Sequence, residues 1–146
     1  PAPEGPHVNH NAALPALTTR VATHPALVHP LAGRIASLYT GWIPRFDRHA
    51  VRIQIAGDDR AVLGKLIAWA YQLTDPTVRL DSYEASVHVQ VFGLLDGDPV
   101  EVYAGTYDTV ADELRSHVVW DGDRAATSVH HLRAVQVGTY RTAVAA

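Results

Sequence analysis

The sequence predicts an α+β domain, and three observations lead there. Two strand-like runs flank an Asp96-Gly97 turn between Ser86 and Tyr107. A further strand-like run, His49 to Ala56, leads straight into a helical pattern that ends near Leu73. After the hairpin, Thr109 to His117 again spaces its apolar residues as a helix does.

In chain order, residues 1–11 are proline-rich and polar, and read as an extended arm. Pro15, Pro25, Pro30 and Pro44 then divide the chain into short pieces. The best helix among them runs from Pro30 to Tyr39, with proline in the first turn and Leu31, Ile35 and Leu38 on one face. In the strand from His49, Val51, Ile53 and Ile55 alternate with Arg52 and Gln54, the period of two that a strand imposes. Asp58 is placed to cap the next helix, whose stripe is Leu63, Leu66, Ile67, Ala70 and Leu73. Trp69 and Tyr71 flank that stripe, and Gly64 permits close packing against a sheet. Asp75-Pro76 ends the helix, and Thr77 to Leu80 is a short strand or the start of a long one broken near Asp81 and Ser82.

The hairpin is the clearest element. Val87, Val89 and Val91 alternate with His88, Gln90 and Phe92, while Val100, Val102 and Ala104 alternate with Glu101 and Tyr103. Asp-Gly supplies the positive φ angles of a tight turn. Asp108 is placed to cap a helix carrying Val110 and Leu114 inward. Trp120 to Asp123 reads as a turn, and Val129 to Tyr140 fits a strand slightly better than a helix. The order strand, helix, strand, strand, helix, strand is the split βαβ, ferredoxin-like arrangement: an antiparallel sheet with helices on one face. It implies an N-terminal arm and short helix over 1–46, a core over 47–140 and a tail over 141–146.

Composition narrows the function. With 47% apolar and 18% charged residues in 146, the chain supports one folded core. It has no cysteine, which removes disulfides, zinc-thiolate sites and cysteine nucleophiles. No apolar run approaches the ~20 residues of a membrane helix. The start Pro1-Ala2 fits removal of an initiator methionine, and a near-complete cytoplasmic product is expected. The net charge of -3 gives no overall drive toward nucleic acid or an anionic membrane.

No motif names a chemistry. Nine histidines lack HExxH or Cys/His spacing, so no metal or other cofactor is expected. The Asp-Gly-Asp triplets at 96–98 and 121–123 are read as turns. Ser128 near His130 and His131 is the nearest approach to a nucleophile beside a base, and no nucleophile elbow or phosphate loop occurs. Phe92 and Tyr103 on one sheet face invite comparison with RNA-stacking sheets, but Glu101 lies between them and no arginine cluster surrounds them. The expectation is a non-catalytic interaction or assembly protein, homo-oligomeric or bound to another protein. Its interface is His88, Gln90, Phe92, Glu101 and Tyr103, with Trp42 and Phe46 as contributors. Nucleic-acid binding through the same face is the alternative, and a small enzyme or metal protein the third.

Overall fold

The computed structural model describes residues 34–57 and 59–138, together with the single positions Thr19, Val21 and Thr23. The arm, the cap at Asp58 and the tail lie outside the described residues. In chain order the elements are β1 (Arg34–Ile43), a one-turn 3-10 helix (Pro44–Phe46), β2 (Arg48–Ala56), α1 (Asp59–Gln72) and β3 (Thr74–Ser82). Then follow β4 (Ser86–Leu95), β5 (Asp98–Tyr107), α2 (Asp108–His117), β6 (Arg124–Thr127) and α3 (Val129–Val137). The described strands form one six-stranded sheet in the order β1-β2-β5-β4-β3-β6.

An α+β fold is therefore present, but the four-stranded ferredoxin-like arrangement is not the one observed. Thr74 to Ser82 is a full strand, so three antiparallel strands follow α1 instead of two. The third of them, β5, consequently runs in the direction of β2 and pairs with it in parallel. The strand after α2 goes to the far edge beside β3, leaving β1 to cover the outer edge of β2.

Two segments change identity. The helix expected over Pro30 to Tyr39 is, from Arg34 onward, the strand β1. Ile35 and Leu38 share a face there because the register shifts between Ile35 and Ser37, a bulge that lets a spacing of three fit a strand. That strand places residues 34–43 in the sheet. The strand expected over Val129 to Tyr140 is the helix α3. Ser128 Oγ accepts the His131 backbone N–H at 3.0 Å, Gly138 closes the helix at φ 73°, and Leu132 and Val135 are buried.

One face of the sheet and the helices α1, α2 and α3 build the main core described, and Val21 joins it. Val51, Ile53, Val87, Val89, Val91, Val100 and Val102 are fully buried against Leu63, Leu66 and Trp69 of α1. Each such side chain contributes about 1.5–3 kcal/mol through removal from water. Trp69 belongs to this core rather than to its flank, whereas Tyr71 is 66% exposed. Gly64 serves helix packing instead of sheet packing, since a Cβ there would meet Gln136 Nε2 of α3 at 3.3 Å. Asp108 begins α2 without acting as its side-chain cap. The hairpin turn matches its sequence signal, with Asp96 at φ 50° and Gly97 at φ 85°. Among the described residues, no helix is long and apolar enough to cross a membrane.

Candidate functional site

The sheet's other face carries no α-helix among those described, and the pairing register sets its residues in rows. One row runs Tyr39, Arg52, Glu101, Phe92 and Thr77. The next runs Ser37, Gln54, Tyr103, Gln90, Arg79 and Ala126. A third places His88 beside Asp81 and Arg124. His88, Gln90, Phe92, Glu101 and Tyr103 thus share one face, as period-two alternation requires.

Their environments differ sharply. Phe92 is only 2% exposed, because Phe46 of the 3-10 turn packs edge-on at 6.0 Å and Ile43 and Ala50 complete a small second core. Pro44 at the start of that turn directs the chain back over the sheet. Trp42 lies 5.5 Å from its cross-strand neighbour His49, is 53% exposed, and borders a cavity of this face together with Arg45, Arg52 and Phe92. His88 stacks on Tyr83 at 4.6 Å.

The centre of the face is an arginine held in a cage. Arg52 Nε donates to Glu101 Oε2, and its guanidinium lies 5.4 Å from the Tyr39 ring and 4.9 Å from the Tyr103 ring. The two tyrosine hydroxyls hydrogen-bond each other at 2.6 Å. Burial opposes the charge on Arg52, but the bond to Glu101 and that carboxylate's field outweigh it and raise its pKa. Burial first, then the bond to Tyr39, push the Tyr103 phenol up to about 12. Glu101 is only 2% exposed, so its charge depends on Arg52.

A second cluster sits beside the cage. Arg79 donates from Nε to Gln90 Oε1 at 2.8 Å and from Nη2 to Asp81 at 3.3 Å, and lies 5.6 Å from the Phe92 ring centre. Arg124 reaches the same Asp81 at 3.5 Å. A cavity of about 160 Å³ opens between the clusters, bordered by Arg45, Arg52, Arg79, Gln90 and Glu101. Two buried polar atoms near the face have no hydrogen-bond partner, Arg48 Nε and Thr77 Oγ1.

The expectation that no arginine cluster surrounds the aromatics is corrected here. Arg48, Arg52, Arg79 and Arg124 occupy the face against two carboxylates, Asp81 and Glu101, and Arg45 borders its cavity. Tyr39 was equally hidden, because its segment reads as helix. For Arg79 a signal existed: it alternates with Val78 and Leu80 inside the strand expected at Thr77 to Leu80.

Other candidate groups have structural partners. Ser128 is a helix cap, and His131 Nε2 lies 2.7 Å from the His117 carbonyl oxygen. Among the described residues, no three His, Asp or Glu side chains are grouped to hold a metal ion. No family model matches this chain, and neither the curated proteins nor the solved structures yield a match.

Proposed function

We propose that this chain is a non-catalytic, cytoplasmic interaction protein that engages a protein partner, another protein or a second copy of itself, through the open face of its sheet. The observation carrying this reading is the caged Arg52. Tyrosine and arginine are the residue types that anchor interfaces, and here both are fixed before any partner arrives. Fixing them in advance lowers the conformational entropy lost on binding. Arg45, which forms no ion pair among the described residues, adds a preference for acidic groups on the partner.

Phe92 is a poor probe of this reading, because Phe92→Asp would break the second core before it reported on an interface. Tyr39→Ala and Arg45→Glu are better, since both side chains reach the surface. The test is light scattering together with quantitative capture from native extract, comparing wild type, these two variants and Tyr71→Ala on the helical side. A partner or self-association lost in both face variants and kept in Tyr71→Ala supports the proposal. Capture that is insensitive to the face variants sinks it.

The arginine-rich face also favours a second reading, single-stranded nucleic acid laid across Tyr39 and Tyr103. That reading requires affinity to fall steeply with salt, by about 0.7 log units per log unit of salt for each phosphate contacted. Binding that survives nuclease treatment and is flat in salt leaves the protein partner.

A further inference from the structure

A groove of about 630 Å³ lies between the Pro44-Arg45 turn and the β6–α3 junction. We propose that it binds a small organic carboxylate with an apolar body. This goes beyond the sheet-face reading and stands whether or not that face has a protein partner.

The size is that of a ligand site, which typically encloses about 300–1,000 Å³. Phe92, Pro76, Pro44 and Val129 give it apolar walls. Two cations border it, Arg45 and Arg79, and no acidic residue does. Arg79 spends Nε on Gln90 and Nη2 on Asp81; Nη1 takes part in neither bond. Those bonds and the Phe92 ring fix the guanidinium in place, so it is pre-oriented for an incoming oxygen. Thr77 belongs to the lining and its Oγ1 is buried without a partner, a hydroxyl that rotation about χ1 would bring to a bound oxygen. The first turn of α3 borders the groove at Ser128 and Val129, bringing the positive end of the helix dipole to the same space.

Charge and polarity together select the ligand. Asp81 already offsets part of the charge of Arg79, so the groove matches a single negative charge rather than a polyanion. Its apolar walls would be left wet by inorganic phosphate and covered by an alkyl or aryl body. A monocarboxylate with such a body meets both requirements.

Isothermal titration calorimetry of the full chain with octanoate, octanol and inorganic phosphate tests this. Octanoate is expected to bind saturably at one site, octanol at least about tenfold more weakly, and phosphate without saturation. Arg45→Gln, at an exposed position, should weaken octanoate by about tenfold and leave octanol and the thermal midpoint unchanged. Thr77→Val should weaken octanoate while keeping or raising the thermal midpoint, because it removes an unsatisfied buried hydroxyl. Ala126→Trp, at an exposed edge position on the groove, should abolish binding. The proposal is overturned by absence of saturable octanoate binding, by octanol binding as tightly, or by Ala126→Trp binding like wild type. It is overturned equally if Arg45→Gln and Thr77→Val both leave the affinity unchanged.

Discussion

Arg52 and Glu101 make the face an all-or-none arrangement. Glu101 is buried deeply enough that its charge is tolerable only with a partner, and Arg52 is that partner. Removing Arg52 strands a buried carboxylate, which typically costs about 3–5 kcal/mol; the partial exposure of Arg52 puts the expected loss near the lower end. Arg52→Ala is therefore expected to lower the denaturation midpoint strongly, and adding Glu101→Gln should recover most of it. Arg52→Lys should recover less than full stability, since an ammonium cannot lie flat between two rings and meet a carboxylate sideways. Tyr103 adds a pH signature. Its folded pKa is raised to about 12 from an ordinary value near 10, so the folded state holds a proton that the unfolded state has released. The stabilisation is complete below the ordinary value and is lost as pH rises through the folded one. Phenolate absorbance should show one late-titrating tyrosine, absent in Tyr103→Phe, and stability should fall in that alkaline window more steeply in wild type than in the variant. Equal slopes would remove the cage from the explanation.

Elements are held in register by close approaches as much as by apolar area. Gly93 faces the end of α1, where a Cβ would sit 2.7 Å from Leu73 Cβ and 3.1 Å from the Thr74 carbonyl oxygen. Gly93→Ala is expected to cost about 1–3 kcal/mol by overpacking. Gly97→Ala meets open space but a φ of 85°, so only backbone strain of about 1–2 kcal/mol applies. Chemical denaturation separates the two, and a Gly93→Ala protein as stable as wild type would show that α1 can shift. Arg60 ties the helices together, donating to the Val135 and Gln136 carbonyls of α3 and to Glu113 of α2. At this scale the hairpin, β2 and the stripe of α1 were legible because each repeats a period long enough to read. β1 was not, since its bulge counterfeits helical spacing around Ile35 and Leu38. β6 offered only Arg124 to Thr127, four residues with no alternation of aliphatic and polar side chains. α3 was ambiguous in its apolar spacing and was decided by its ends, Ser128 and Gly138. The candidate face inherited these gaps: its central strands were readable, while Tyr39 and Arg124 arrived on strands that were not.

For the whole molecule, the fold sorts charge that the composition mixes. The chain carries 12 basic and 15 acidic residues, a net of -3. Among the described residues, Arg48, Arg52, Arg79 and Arg124 stand on the open face with only two carboxylates, Asp81 and Glu101, against them. Two copies meeting face to face would set like charges against each other, which costs association energy that apolar contact would have to offset. The main apolar side chain on that face, Phe92, is already covered. A second copy would be favoured only when the arginine face of one meets an acidic surface of the next, and a head-to-tail contact of that kind closes into a ring or continues as a chain. Self-association through this face is therefore expected to grow with concentration without stopping at a dimer, and to dissolve as salt shortens the screening length toward ~8 Å at physiological ionic strength. Sedimentation velocity at low and high salt reads both features. A compact dimer indifferent to salt would place the self-contact on another surface and leave the arginine face to an acidic partner of a different kind.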